Sequence, residues 1–238
     1  MNKLLISGVM LLMAAPALAD LSNDELKEKG YIGSAELGYS SSSGNVDESS
    51  LNAKAGLEFM FGQWRHKAAA EAKYAEDEDS TIAERYFGTY QAERYFTEAS
   101  YAFGTTSYEN DRFNALEDLV TLVAGYGHNF ALMKDMELAT EIGPGYRWNN
   151  YGEGSDEWIV RGKLDFKWKV NTHFDVSSVL TVDSGEDNTI TRSESALTSK
   201  MVADLAMKLS YTITNQSQPS EGFENTDRVA AITLLYSF

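Results

Sequence analysis

The alternation of residues 157–170 constrains the fold of this chain more than any other stretch of its sequence. Every second residue is apolar or small, with a tryptophan near each end, and most of the residues between them are charged. Since successive side chains of a β-strand point to opposite faces, this pattern predicts a strand with one face toward lipid and one toward a polar interior. The lipid face would carry Trp158, Val160, Gly162, Leu164, Phe166, Trp168 and Val170, and the interior face Ile159, Arg161, Lys163, Asp165, Lys167 and Lys169.

Two further stretches, 48–61 and 205–217, sort their residues in the same way. A soluble β-sandwich of the periplasm also alternates, but its outward positions should be polar and a second sheet would have to cover its apolar face. Stretches 83–96 and 192–201 sort poorly, the first because Arg94 falls among its apolar positions. Taken together, the stretches favour strands that cross a membrane.

Twelve strand-like stretches follow one another along the chain. Beyond the N-terminal segment, no stretch reaches the roughly 18 consecutive apolar residues of a membrane-spanning helix. We therefore predict an all-β fold, a single antiparallel transmembrane β-barrel of about 12 strands. The strands are predicted at 31–42, 48–61, 64–75, 83–96, 99–109, 117–130, 136–149, 157–170, 173–184, 192–201, 205–217 and 226–238.

The connections between these strands alternate in length. Those after the even-numbered strands are short, and most of the others are longer and rich in Gly, Asn, Asp, Ser and Glu. Short periplasmic turns and long extracellular loops are the layout of an outer-membrane barrel. We expect such a barrel over residues 31–238, with both termini on the periplasmic side.

The first 19 residues have the pattern of a secretory signal peptide. Lys3 precedes an apolar run from Leu4 to Ala15, and a small-residue cleavage motif ends at Ala19. The run is too short for a spanning helix. We predict cleavage after Ala19, a short periplasmic segment over residues 20–30, and export by the general secretory route to the outer membrane of a Gram-negative bacterium.

The last predicted strand, "RVAAITLLYSF", has an apolar face that ends in two aromatic residues. Phe238, Tyr236 and Leu234 resemble the assembly signal of outer-membrane barrels, an aromatic final residue preceded by apolar residues at alternate positions. The partners expected from this pattern are the barrel insertion machinery and periplasmic chaperones. A barrel in this membrane would also contact the lipid bilayer and lipopolysaccharide.

Four segments of the sequence resemble a known family. They are "SSSGNVDESSLNAKAGLEF", "ENDRFNALEDLVTLVAGYGHNF", "IGPGYRW" and "TDRVAAITLLYSF". They are similar to the domain-of-unknown-function 481 family, often described as salt-induced outer-membrane proteins, and the similarity covers nearly the whole chain after the signal. The resemblance implies an outer-membrane β-barrel of unassigned activity that is induced by salt, and it carries no catalytic residue.

The chain has a formal net charge of −16, but its charges are unevenly placed. The alternation points several lysines inward, at positions 54, 67, 73, 200 and 208, while residues 183–187 carry acids in a predicted loop. A second acidic loop, a candidate for binding divalent cations, lacks the regular oxygen spacing of a calcium loop. The candidate residues of the interior charge ladder are Arg161, Lys163, Asp165, Lys167, Lys169, Glu141 and Arg147, and those of the acidic outer loop are Glu76, Asp77, Glu78 and Asp79.

Two functions remain open at this point. The barrel could be a narrow passive channel for small solutes or ions, linked by the resemblance to salt or osmotic stress. Alternatively, the inward charges pair across the lumen and close it, which leaves a structural, envelope-stabilising or surface-interaction role for the acidic loops. We expect no cofactor, and the negative charge opposes nucleic-acid binding.

A lipid hydrolase with a serine and a histidine on the barrel wall is a third, weaker hypothesis. The three histidines, His66, His128 and His173, all lie next to predicted short turns, with no serine in an obvious partner position at the level of the outer leaflet. The sequence has no G-x-S-x-G motif. We therefore expect that the protein is not an enzyme.

A proline interrupts one predicted strand. Pro144 cannot donate a hydrogen bond to a neighbouring strand. The alternation points Pro144 toward lipid and Gly143 and Gly145 inward. We predict a β-bulge there that bends the strand; a second reading is that the two glycines make space for a solute.

Overall fold

The computed structural model describes residues 26, 29–43, 48–77, 80–111, 118–151, 155–219 and 224–238. These residues form twelve β-strands, whose bounds lie within a few residues of the predicted ones. The strands are β1 Tyr31–Ser43, β2 Glu48–Phe61, β3 Trp64–Asp77, β4 Ser80–Tyr95, β5 Ser100–Asp111, β6 Asp118–Met133, β7 Met136–Tyr151, β8 Glu157–Lys169, β9 Phe174–Gly185, β10 Thr189–Val202, β11 Leu205–Gln216 and β12 Thr226–Ser237.

The twelve strands close into one antiparallel barrel. Each strand pairs with its neighbours in the sequence, and β1 pairs with β12. Closure removes the exposed strand edges that an open sheet of this size would present. The predicted all-β barrel of twelve strands is therefore confirmed. Among the described residues, no helix is long and apolar enough to cross a lipid bilayer.

The connections define two ends of the barrel. At the short-turn end, β2, β4, β6, β8 and β10 join their successors through residues 62–63, 96–99, 134–135, 170–173 and 203–204. At the opposite, long-loop end, the connections include 112–117, 152–156 and 217–225. Two predicted long loops were wrong, because β3 and β4 are separated only by residues 78–79 and β9 and β10 by 186–188. Polar residues that were predicted to lie in these loops instead belong to the ends of paired strands.

The burial of the side chains follows the predicted alternation. In β8, Trp158 and Val160 are exposed on the outer face, whereas Glu157 and Ile159 are buried inside the barrel. The outer face of the barrel is thus apolar and suited to lipid, while charged side chains are buried in the interior. Such an interior is stable only where the charges are paired and hydrogen-bonded.

Arg94 is the outward charge that made the fourth strand difficult to assign. It lies near the short-turn end of β4, and its guanidinium carbon is 5.5 Å from the ring centroid of Trp64 on β3. A guanidinium over an indole is stabilised by a cation–π interaction, and this depth suits a side chain that reaches the membrane surface. The exception therefore lies at the rim rather than in the middle of the lipid face.

The strand around Pro144 lies at a close approach of β6 and β7, and the predicted bulge was wrong. Pro144 is exposed and Gly143 and Gly145 are buried, as expected, but the register between the two strands is the same on both sides of the proline. A Cβ added to Gly143 or to Gly125 would lie 2.1 Å from a backbone oxygen of the facing strand. The glycines are therefore needed because the two backbones come too close for a side chain.

The last residue closes the seam between β1 and β12. The backbone N–H of Gly33 donates to the carbonyl of Phe238 at 2.8 Å, and the N–H of Phe238 donates back at 2.9 Å. The ring of Phe238 covers the outer face of Gly33, where an added Cβ would lie 2.4 Å from the ring. An aromatic ring that covers a glycine on a neighbouring strand stabilises the pairing.

Candidate functional site

The inward residues of β8 lie at the centre of the candidate site. Five of the seven predicted ladder residues line one cavity inside the barrel. Lys169 is instead exposed at the end of β8, and Arg147 is buried in an ion pair with Glu157. The five that line the cavity are Glu141, Arg161, Lys163, Asp165 and Lys167.

This cavity has a volume of about 100 Å³. A single water molecule needs roughly 10–15 Å³ of such space, so the cavity can hold several waters or one small solute. Among the described residues that line it, five are cationic and three acidic, and two of the cations, Lys67 and Arg161, are ion-paired with Glu93 and Asp183, which are not part of the lining. The cations are Lys67, Arg161, Lys163, Lys167 and Arg192, and the acids Glu58, Glu141 and Asp165.

Four charged residues on β2, β3 and β4 form a balanced group near the short-turn end, which we name the paired cluster: Glu58, Arg65, Lys67 and Glu93. Arg65 Nε donates to Glu58 Oε2 at 2.8 Å, and Lys67 Nζ lies 2.5 Å from Glu93 Oε1. Glu93 is 0% exposed and also accepts hydrogen bonds from two neutral side chains. Each carboxylate of this cluster thus has a cation of its own.

Further ion pairs cross between inward-facing residues elsewhere in the barrel. Each of them involves a lysine, whose single ammonium group can change partner more easily than a guanidinium that forms two bonds. The pairs are Lys54 with Glu71 at 3.2 Å, Lys208 with Glu194 at 3.1 Å and with Glu36 at 3.5 Å, Lys200 with Asp175 at 3.0 Å, and Lys163 with Glu141 at 3.9 Å.

Gln91 connects the paired cluster to the cavity. Its Nε2 donates to Glu93 Oε1 at 2.7 Å and to Glu141 Oε1 at 2.8 Å, while its Oε1 accepts from Thr105 at 2.7 Å. The hydroxyl of Tyr101 donates to the same oxygen of Glu141 at 3.0 Å. These bonds hold Glu141 against the wall, which leaves Lys163 as the more loosely held partner of that pair.

A second group of charges lies nearer the long-loop end, and we name it the arginine cluster: Arg85, Glu109, Arg161, Asp183 and Arg192. Arg161 donates to both carboxylate oxygens of Asp183, at 2.6 and 2.7 Å, and Arg85 Nε donates to Glu109 at 2.8 Å. Arg192 is 9% exposed, and within the described part of the chain it forms no ion pair and its Nε has no hydrogen-bond partner. Three guanidinium groups therefore share two carboxylates.

Most of these charges were absent from the predicted interior. Asp183 was placed in an outer loop, but it lies in β9 and is buried against Arg161. Arg192 is an even number of residues from Lys200, which was predicted to point inward, and Arg65 is two residues from Lys67. Since such residues share a face of a strand, the alternation alone could have predicted both. The residues that sequence reasoning missed include Arg65, Arg85, Glu93, Glu109, Glu157, Arg192 and Glu194.

The predicted acidic outer loop falls largely outside the described structure. Glu76 and Asp77 end β3, and Glu78 and Asp79 lie outside the described residues. The predicted signal peptide, residues 1–19, lies outside them as well. Within the described ranges, no group of three or more His, Asp or Glu side chains is arranged to hold a metal ion. Binding of divalent cations by the acidic loop stays a prediction.

One histidine has a serine partner near the short-turn end, a contact that the sequence did not predict. Ser100 on β5 lies opposite His128 on β6, and its Oγ is 2.9 Å from His128 Nδ1. The hydroxyl of Tyr126 donates to Ser100 Oγ at 3.0 Å. In the part of the chain that the structure describes, no carboxylate contacts the His128 ring, so a third member of a catalytic triad is missing. The sequence did not reveal the contact because it depends on the register between the two strands.

The three residues of the predicted assembly signal share the outer face of the C-terminal strand. Leu234, Tyr236 and Phe238 are 47%, 48% and 50% exposed. The rings of Tyr236 and Phe238 stack with centroids 5.9 Å apart. This places two aromatic rings at the short-turn end, where a barrel carries an interfacial aromatic girdle.

The family described as "Protein of unknown function, DUF481" matches residues 35–238 of this sequence. The chain belongs to the DUF481 family. The uncharacterized protein YdiY of Escherichia coli (strain K12) is 28% identical over 213 residues, a match that spans 88% of this chain and 84% of YdiY. The family resemblance read from the sequence is therefore confirmed.

Similar solved structures include a porin and an outer membrane channel. The NanC porin has a TM-score of 0.60 and 11% identity, covering 85% of this chain and 98% of the porin. An outer membrane channel from Pseudomonas putida F1 has a TM-score of 0.53 and 12% identity, covering 87% of this chain and 95% of the channel. At these identities the similarity shows the fold alone. This DUF481 protein therefore has the fold of an outer-membrane β-barrel.

Proposed function

We propose that this barrel is a narrow passive channel for small anionic solutes or ions. The observation that supports it is the cavity inside the closed barrel, whose described lining carries five cations and three acids and includes Arg192, which forms no ion pair with a described residue. A barrel of twelve strands is wider than the eight-stranded kind that side chains fill. In a polar lumen with low-dielectric walls, an excess of one charge concentrates ions of the opposite sign.

Passage through this lumen requires the movement of side chains rather than of strands. The backbone is closed all round, and two side chains of the paired cluster, Glu58 and Lys67, line the cavity in ion pairs with Arg65 and Glu93. Lys163 is held loosely on the cavity wall, because its ammonium nitrogen lies 3.9 Å from the carboxylate of Glu141. A solute that replaces this long contact would gain a cation without breaking a short ion pair.

The test is the conductance of the refolded protein in a planar bilayer, under a salt gradient that reports the anion-to-cation permeability ratio. We compare the wild type with the double variant Lys163→Gln/Lys167→Gln, which removes two cations from the cavity wall. The matched control is Lys169→Gln/Lys200→Gln, which removes the same charge at two exposed positions at strand ends.

The proposal expects discrete current steps from all three proteins. The reversal potential should shift toward cation preference in the cavity variant and stay near the wild-type value in the control. An equal shift in both variants would assign the selectivity to overall charge rather than to the cavity. Silence of the wild type at every salt concentration and voltage would contradict the channel.

A closed barrel is the second candidate, and the ion pairs of the interior favour it. Glu58, Glu93 and Lys208 are nearly fully buried and paired, which is how a lumen is filled rather than opened. In this case the protein would stabilise the envelope, and its acidic loop would bridge to lipopolysaccharide through divalent cations. A wild type that never conducts but withstands extraction better when Mg²⁺ is present would support this role.

The response to salt is part of the proposal and rests on the family resemblance alone. A passive path for small solutes is useful when the external osmolarity changes. Transcript and protein levels measured at two external salt concentrations test the link. Equal levels at both concentrations would remove it and leave the channel itself untouched.

We also propose that Phe238, Tyr236 and Leu234 present the assembly signal to the barrel insertion machinery. Deletion of Phe238 removes the terminal aromatic and the ring that covers Gly33. It should lower the amount of protein in the outer membrane while export to the periplasm continues. Phe238→Tyr is the control, because it keeps an aromatic ring there. Normal outer-membrane levels of the deletion variant would defeat this proposal.

A further inference from the structure

Lys163, Thr181 and Arg192 lie side by side across three strands of the barrel wall. Thr181 on β9 pairs directly with Lys163 on β8 and with Arg192 on β10. Since adjacent strands are about 4.8 Å apart, the two cations flank the threonine at one level of the lumen. All three side chains line the same cavity.

Arg192 has no counter-charge of its own. The opposite charges that act on it are Glu109 and Asp183. Glu109 already accepts from Arg85, and Asp183 binds Arg161 through both oxygens. A buried cation without a partner is costly, because removal from water is not offset by an ion pair. The structure therefore contains a nearly buried guanidinium group that forms no ion pair with the described chain.

We propose that Arg192, Thr181 and Lys163 form a binding site for one small oxyanion, a carboxylate or a phosphate. The planar guanidinium offers parallel N–H donors that match two oxygens of such an anion. The hydroxyl of Thr181 donates to it from the wall, and Lys163 supplies the second cation from the other side. The cavity of about 100 Å³ has space for a small anion with some of its water.

If the barrel is a channel, the anion bound at this site indicates which class of anion passes through it. Only this conclusion about transport rests on the proposed function; the binding itself does not. Binding can be measured on refolded protein in detergent, without a membrane potential or a current. The two proposals can therefore fail separately.

The experiment is isothermal titration calorimetry of the refolded protein at low ionic strength, with sodium acetate, sodium phosphate and sodium chloride as three separate titrants. The wild type should show saturable binding of acetate, phosphate or both, and no comparable binding of chloride. Acetate alone would assign the site to carboxylates, and phosphate alone to phosphates. Circular dichroism and a thermal melt of each variant establish that the barrel is folded.

Arg192→Gln should weaken the affinity about 10- to 100-fold, since it removes a charged donor. Thr181→Val, which keeps the shape of the side chain, should weaken the affinity several-fold. The matched control is Lys200→Gln on the same strand, which removes one positive charge at an exposed strand end and should leave the affinity within about twofold of the wild type.

Absence of saturable binding to the wild type would overturn the site, as would equal affinities of wild type and Arg192→Gln. Chloride binding as tight as that of acetate and phosphate would overturn its assignment to oxyanions. If the wild type conducts current but binds neither acetate nor phosphate, the channel proposal would stand and the binding site would be rejected. Binding without conduction would keep the site in a closed barrel.

Discussion

The paired cluster and the arginine cluster lie toward opposite ends of the same lumen but balance their charges differently. In the paired cluster, Arg65 and Lys67 each meet a carboxylate at ion-pair distance. In the arginine cluster, Glu109 and Asp183 are already bound to two guanidinium groups, and Arg192 is a third. Each cluster is mostly buried and contains one partly exposed cation, Lys67 or Arg161, so solvent exposure does not explain the difference.

The difference separates charges that stabilise the barrel from charges that are available to a solute. A buried cation with its own carboxylate recovers part of the cost of leaving water through the ion pair. An extra buried cation recovers nothing until an anion arrives. In our proposal, the charges at the short-turn end therefore stabilise the barrel, and Arg192 nearer the long-loop end is available to bind an anion.

The largest effect is expected from Glu93 in the paired cluster. Glu93→Gln removes the carboxylate that Lys67 contacts at 2.5 Å and leaves that ammonium without its partner. Because that ammonium is 25% exposed and can still reach water, the free energy of unfolding should fall by about 2–3 kcal/mol, between the losses typical of exposed and of fully buried pairs. Urea unfolding in detergent micelles, followed by tryptophan fluorescence, measures the change.

The double variant Glu93→Gln/Lys67→Met is the control for this prediction. It removes both charges, so it should recover a large part of the stability that Glu93→Gln loses. A loss below about 1 kcal/mol in the single variant would show that the paired cluster is not structural.

A smaller effect of opposite sign is expected from Arg192. Arg192→Met removes a buried cation without a counter-charge and keeps much of the side-chain volume. The free energy of unfolding should stay the same or rise by up to ~2 kcal/mol, because the cost of burying the charge disappears. The same unfolding measurement, made without added acetate or phosphate, tests it. A loss of stability as large as that of Glu93→Gln would remove the distinction between the two clusters.

The smallest effect is expected from Lys200, whose side chain is 40% exposed beside Asp175. Lys200→Gln breaks an ion pair at 3.0 Å, but water can replace the ammonium there. The free energy of unfolding should change by less than ~1 kcal/mol, as for other exposed pairs. A larger loss would mean that burial of the partner Asp175, rather than exposure of the lysine, sets the strength of such pairs.

Much of the fold could be predicted because each strand carries its own signal. Side-chain alternation in β8 gives both faces without any knowledge of its neighbours, and the number of strands follows from counting such stretches. The bounds of β4 and β10 were less accurate, because beyond the lipid the backbone pairing continues while the alternation fades. Arg94 was misleading for the same reason, since at the rim a charge can face outward.

The candidate site could be predicted only in part, because contacts across strands depend on register and closure. The inward direction of Arg161 and Lys163 follows from the alternation of side chains along β8 alone. That Arg161 binds Asp183, and that Thr181 separates Lys163 from Arg192, follows only once β8, β9 and β10 are aligned. Ser100 and His128 were missed for this reason. A one-residue change of register would reverse every one of these assignments.

The seam at Gly33 and Phe238 has a consequence for the order in which the barrel folds. Every other pairing joins strands that follow each other in the chain, whereas this one joins the first strand to the last. Contacts of such large sequence separation form slowly, since the chain must be ordered between them before they contribute. We expect the seam to form last and to set the rate of assembly. Until it forms, β1 and β12 expose two free edges, and this intermediate is the species most prone to aggregate.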